Sequence, residues 1–172
     1  RSSNFSSHNG SRWVFWVIQT HLTLPEGWTK GAVMALISEV APHIGLRPAR
    51  LAVLNYIIGR TRASDWTSPH REPVFFGTQD LAAVELGKTS RQLRTDEAAL
   101  AKLGLIVKRV AANGARYGRA GLGLILTPLI ARLEEFIALR DRLRAERRHL
   151  RALKDLRSLR LRHMKRCIAA LP

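Results

Sequence analysis

The sequence predicts a mainly α fold: a winged helix-turn-helix domain with a small antiparallel β-wing, followed by a long basic C-terminal helix or coiled-coil arm. Three observations carry that expectation. The run Thr78 to Val110 (TQDLAAVELGKTSRQLRTDEAALAKLGLIVKRV) reads as two helices around a tight break and then a strand. A basic, Gly-rich stretch follows and returns as GLILT at 123–127, which reads as a hairpin. From Leu129 to Leu171 the chain lacks Gly and Pro and is dense in Leu, Ala, Arg and Glu, all favourable in helices. The corresponding division is 1–22 for a tail with an apolar segment, 23–128 for the winged-helix domain and 129–172 for the arm.

In chain order, residues 1 to 12 are Ser- and Asn-rich, a composition that does not bury a core. Trp13 to Ile18 (WVFWVI) favours β structure and suits an edge strand, a segment tucked on the domain, or a contact with a second subunit. Thr23 to Thr29 reads as a loop with Trp28 anchored on the core. Lys30 to Val40 predicts a helix, because Val33, Met34, Leu36, Ile37 and Val40 share one side. Arg47 to Ile58 predicts a second, central helix with Pro48 in its first turn, where a missing N–H costs nothing. Gly59 to Pro73 reads as a polar loop, and Val74-Phe75-Phe76 as a short third strand of the wing sheet.

Within the central run, Leu81, Ala82, Val84 and Leu86 give the first helix an apolar side, with Thr78 as N-cap and Gly87 as terminator. Thr89 or Ser90 caps the second helix, Leu93, Leu100 and Leu103 share its inner side, and Gly104 ends it. The first turns of that second helix hold Lys88, Thr89, Ser90, Arg91, Gln92, Arg94 and Thr95. A helix lying in the major groove presents its N-terminal residues to base edges, and Arg and Gln make paired hydrogen bonds to guanine and adenine. Arg91, Gln92, Arg94 and Thr95 are therefore the expected base readers, with Lys88 and Ser90 on phosphates. The bland alternative is a solvated basic face. Lys108, Arg109, Asn113, Arg116, Tyr117 and Arg119 form the expected wing contacts to the DNA backbone or minor groove.

One local conflict stands out. Asp96 and Glu97 lie midway along the proposed recognition helix, where an apolar side chain is normally buried. Either the helix is rotated, or Ala98 and Ala99 supply the packing; a Glu97 facing phosphates would repel them. In the arm, Leu129, Leu133, Phe136, Leu143 and Leu150 lie near one seam, interrupted by Arg140 and Arg147. The apolar positions then shift to Leu153, Leu156, Leu161, Met164 and Ile168, which predicts a break or a second helix folding back.

Composition narrows the function. Lys and Arg outnumber Asp and Glu by 29 to 13, a formal net charge of +16, which attracts polyanions and makes binding salt-dependent. No segment is long and apolar enough to span a bilayer, and no secretory signal is evident. The single cysteine, Cys167, fits a reducing cytoplasm, with nucleoid or plasmid association as the expected location. No phosphate-binding loop, dinucleotide glycine fingerprint or zinc motif occurs, so no enzyme activity, catalytic residue, metal or cofactor is expected.

Taken with those residues, the stretch from about Gly27 to about Lys154 resembles the RepC-type replication initiators of repABC plasmids in alphaproteobacteria. GLRPARLAVLNYII, the VFF strand, LRTDEAALAKLGLIVKRVAANGARYGR and LTPLIARLEEF carry the resemblance in that order. It implies binding to double-stranded DNA at a plasmid origin, and DNA opening or recruitment of host replication proteins. Glu97 departs from the family's usual Leu, WVFWVI has no counterpart, and the chain is shorter than a full member. Two rival readings remain. One is a winged-helix transcription regulator forming a homodimer through residues 129 to 171; the other is a helical adaptor with incidental DNA binding.

Overall fold

The first helix, α1 (Lys30–Val40), begins where the Thr29 hydroxyl accepts a hydrogen bond from the Ala32 amide. Its buried residues, Val33, Leu36, Ile37 and Val40, are four of the five in the stripe expected from the sequence, and the fifth, Met34, is half-buried. A 3-10 turn (Ala41–Ile44) leads to α2 (Pro48–Arg60), which buries Val53, Leu54, Ile57 and Ile58 and forms the middle of the core. The computed structural model describes residues 21–109 and 122–170. The Trp13–Ile18 segment and the wing residues Asn113, Arg116, Tyr117 and Arg119 lie outside the described residues.

The stretch expected to be a plain polar loop does more. Trp66, in a 3-10 turn (Ala63–Trp66), is fully buried, and its indole donates to the Thr61 hydroxyl at 2.8 Å. Thr61 in turn donates to the Ile58 carbonyl at 2.7 Å, and the Leu24 amide donates to the Trp66 carbonyl at 2.8 Å. This segment is thus a lid on the core. A lone Trp in a polar run carries no periodicity, so burial there was not legible.

Three short strands form one antiparallel sheet in the order β1-β3-β2: β1 (Val74–Phe75), β2 (Val107–Arg109) and β3 (Gly123–Ile125). Ile125 pairs with Val74 on one side and Val107 on the other, so Val74-Phe75 is the third member as expected. Leu105 and Ile106, expected within the strand, instead precede β2 and are buried.

Between β1 and β2 run α3 (Gln79–Glu85) and α4 (Ser90–Lys102). Both end in the same way. Gly87 (φ 60) and Gly104 (φ 66) take the left-handed conformation that only glycine adopts without strain. Lys88 N–H then donates to the Ala83 carbonyl and Gly87 N–H to that of Val84; Leu105 to Leu100 and Gly104 to Ala101 repeat the arrangement. At the start of α4, the Thr89 hydroxyl accepts from the Gln92 amide while the Gln92 side chain accepts from the Thr89 amide. Thr89→Ala is expected to cost about 1 kcal/mol, read as a lowered thermal midpoint; no change would mean that the cap is replaced by water.

The apolar side of α3 is not the one expected. Leu81 and Val84 are 54% and 77% exposed, while Ala82 and Ala83 face inward and Leu86 is half-buried. Small alanines let α3 approach α4 closely, and the larger residues at 81 and 84 are turned out.

The chain then passes through α5 (Thr127–Ala131) into α6 (Leu133–Ala169), a single helix of 37 residues and about 55 Å in length. This corrects the expected break: no second helix folds back. With no Gly or Pro from 129 to 169 nothing interrupts the hydrogen-bond ladder, and the shift in apolar positions reflects drift around one helix. The expected boundary at 128/129 also falls inside the core, because Leu129, Ile130, Leu133, Phe136 and Leu143 belong to the same cluster as α1 and α2. Leu150, placed on the seam, is exposed.

Arg132 fastens the root of α6. It donates to both Glu135 oxygens and to the Leu103 carbonyl at the end of α4, and its guanidinium lies 4.8 Å from the centre of the Phe136 ring. Further along, Arg144 donates to both oxygens of Glu39 on α1 at 3.0 and 2.8 Å, and Arg147 lies 3.7 Å from the same carboxylate. The Arg144 hydrogen bond holds the Glu39 carboxyl below its usual pKa. Among the described residues no helix is long and apolar enough to cross a membrane.

Candidate nucleic-acid interface

Helix α4 is amphipathic by residue type and by placement. Leu93, Glu97 and Leu100 face inward at i, i+4 and i+7. The opposite face presents Arg91, Arg94, Thr95, Ala98 and Lys102, all exposed, over about 16 Å of helix. Arg91, Arg94 and Lys102 have no ion pair among the described residues. The Thr95 hydroxyl donates back to the Arg91 carbonyl at 3.0 Å, as threonine commonly does within a helix. Lys102 was not singled out by sequence, although its spacing from Arg91 and Arg94 (i+11, i+8) was an available signal, and Ala98, offered there as a packing residue, is instead exposed.

The other expected contacts among the described residues are already engaged within the fold. Lys88 is ion-paired to Asp96 and also donates to the Ala49 carbonyl at 3.3 Å, with Arg50 3.5 Å from the same carboxylate. Ser90 donates to Asp80 at 2.7 Å. Gln92 holds its carbonyl oxygen on the Thr89 amide, which leaves only its NH₂ group to donate outward. The two-bond contact to adenine, which needs both ends of the amide, would therefore have to share that oxygen with the cap. Arg109, on β2, pairs with Glu72 at 2.8 Å.

The Glu97 conflict resolves in an unexpected way. Glu97 itself takes the inward apolar position and is 1% exposed. Gln79 on α3 donates to it at 3.1 Å and the Lys108 ammonium on β2 lies 3.2 Å from it. A buried carboxylate thus joins α3, α4 and the sheet at one point, and Lys108, expected on DNA, holds that junction. Both acidic residues of α4 are consequently neutralised from within, and the outward face carries positive charge alone.

Arg60, which ends α2, is ion-paired with Glu85 and stacks over the Tyr56 ring at 5.4 Å. Among the described residues no cluster of His, Cys, Asp and Glu is arranged to hold a metal ion. These features define a mainly helical, strongly cationic protein with a small antiparallel sheet, an exposed basic helix face and a long terminal helix.

Within that class, the family model of the replication protein C N-terminal domain matches residues 17–171, and the chain belongs to that family. A Rhizobium rhizogenes protein named "Putative replication protein C" is 30% identical over 135 residues, which covers 74% of this chain and 33% of that protein. A protein of the same name from Sinorhizobium fredii (strain NBRC 101917 / NGR234) is 26% identical over 134 residues, covering 73% of this chain and 33% of its own length. The chain therefore spans about a third of the length of these curated relatives. No solved structure matches it. The resemblance to RepC-type initiators drawn from the sequence is borne out at the level of family.

Proposed function

We propose that this chain is a sequence-specific double-stranded DNA-binding domain, of winged-helix type, that recognises the origin in plasmid replication initiation. The observation that carries the reading is the outward face of α4. Arg91, Arg94 and Lys102 stand there without an ion pair among the described residues, beside Thr95 and Ala98, while Asp96 and Glu97 are turned away and paired. A helix of this kind, fixed at both ends and on its inner side, is rigid enough to hold arginines against base edges. Small Ala98 lets the backbone approach the groove. The antiparallel pair of β2 and β3 forms the base of the wing, where Arg109 is held by Glu72. The domain works by binding and needs neither metal nor cofactor; opening of the duplex or recruitment of host replication proteins belongs to the longer initiator.

Selection of bound duplexes from a random pool at about 150 mM salt tests the reading directly, because non-specific phosphate binding is weakened there. A single enriched sequence is expected. Arg94→Ala is expected to relax one position of that sequence and cost about 1–3 kcal/mol. Lys102→Ala is expected to weaken all duplexes alike and lower the slope of log K against log salt by about 0.9, as for one lost phosphate contact. If neither substitution changes affinity or preference, α4 is not the reading helix. Footprinting that placed the enriched sequence in promoters and not in the origin would favour a transcription regulator.

A further inference from the structure

Beyond Arg147, α6 has no partner among the described residues, yet its apolar side continues. Leu150, Leu153, Leu161, Met164 and Ile168 fall within about 80° of one another around the helix. Each is between 47% and 64% exposed. Leu143, Leu150 and Met164 lie on one heptad line, and the position between the last two, at the same spacing, is Arg157. Arg160 sits at the edge of the same stripe. From Arg148 to Arg166 there are eight Lys and Arg residues and one acidic residue, Asp155, and none of the nine has an ion pair among the described residues.

The packed part of the same helix shows what such a face accepts. Phe136 and Leu143 are buried against the domain, and Glu39 of α1 lies at the flank, where it takes Arg144 and Arg147. The next turns repeat that arrangement, Leu150 with Arg151 and Leu153 with Lys154, without a carboxylate to meet them. We infer that the projecting part of α6, residues 150–168, is a docking seam for an amphipathic helix of another protein with Leu-type residues on its inner side and carboxylates along its flanks and opposite Arg157.

A second copy of this chain fits poorly. Parallel pairing in register sets Arg157 against Arg157, and antiparallel pairing that matches Leu150 with Met164 and Leu153 with Leu161 again sets Arg157 against Arg157. Either juxtaposes arginines inside a seam where like charges repel. A phosphate backbone would satisfy the cations but leave five large apolar side chains in water. An anionic bilayer would have to take Arg157 in the middle of the apolar face.

The test uses the full chain and a synthetic peptide of about four heptads with Leu on the seam and Glu on the flanks. Fluorescence anisotropy is expected to show saturable binding at least about tenfold tighter than for a scrambled peptide of the same composition. Binding is expected to fall about tenfold or more in the Leu153→Gln/Met164→Gln double variant, whose thermal midpoint should be unchanged because both side chains are exposed. Equal binding of the scrambled peptide would reduce the effect to bulk charge and overturn the inference, as would no binding of the zipper peptide. Self-association in sedimentation that depends on Leu153 and Met164 would assign the seam to a second copy. Loss, in the same variant, of binding to phosphatidylglycerol-containing vesicles or to random duplex would assign it to lipid or nucleic acid. Each of these overturns the proposal, and none bears on DNA reading by α4.

Discussion

Phe136→Ala is expected to destabilise the protein by about 3–5 kcal/mol, the range for removing a large buried aromatic side chain. Phe136 has no exposed surface and lies under the Arg132 guanidinium, which also caps the last turn of α4 through the Leu103 carbonyl. Its loss leaves a cavity at the point where α6 leaves the domain and removes one face of the Arg132 contact. Leu156→Ala, on the projecting part of the same helix, is expected to change stability by no more than about 0.5 kcal/mol, because that side chain is not in the core. Urea unfolding of the two variants makes the comparison. A cost below about 1 kcal/mol for Phe136→Ala would mean that the root of α6 is not part of the core, which would undo the account of the fold given by Arg132, Leu133 and Leu143.

The second large effect is at the buried junction. Lys108→Ala removes the cation that lies 3.2 Å from the Glu97 carboxylate and is expected to cost about 3 kcal/mol. That is the low end for breaking a buried ion pair, because Gln79 still donates to Glu97. Glu97→Leu is expected to behave in the opposite way, staying within about 1 kcal/mol of the parent or exceeding it, since a buried ion pair replaced by an apolar group is often neutral or stabilising. Lys108, with its side chain 29% exposed, can then turn to water. Glu97→Leu should therefore fold while shifting α4 against the sheet, seen as altered DNA preference without loss of stability. If Glu97→Leu proves the more damaging of the two, the carboxylate is holding more of the fold than its pairing with Lys108 and Gln79 accounts for.

Much of this architecture could be read from local signals. The bounds of α1 follow from its stripe, and Pro48 and Thr89 mark the starts of α2 and α4 because they act within one turn of themselves. The two Gly stops, the third strand at Val74 and the long helix after Pro128 are also written in neighbouring residues. What could not be read depends on distant partners. Trp66 is buried because Thr61 and Leu24 reach it, and no pattern in its own polar segment announces that. Leu81 and Val84 look like the inner side of α3 until α4 selects the alanines. Lys88, Lys108 and Arg109 look like free cations until Asp96, Glu97 and Glu72 are placed beside them. The expected wing tip, Asn113 to Arg119, lies outside the described residues.

By itself, then, the sequence determined the helix pair, the membership of the sheet, the excess of positive charge and the family, because caps, stops, periodicity and charge are properties of neighbours along the chain. The tertiary structure alone decided which of those charges remain outward. It turned Asp96 and Glu97 in, matched Lys88 and Lys108 to them, and left Arg91, Arg94 and Lys102 on the surface. The physical reason is that a charge is consumed or kept by whatever lies within a few ångströms of it, and those neighbours come from elements far apart in the chain.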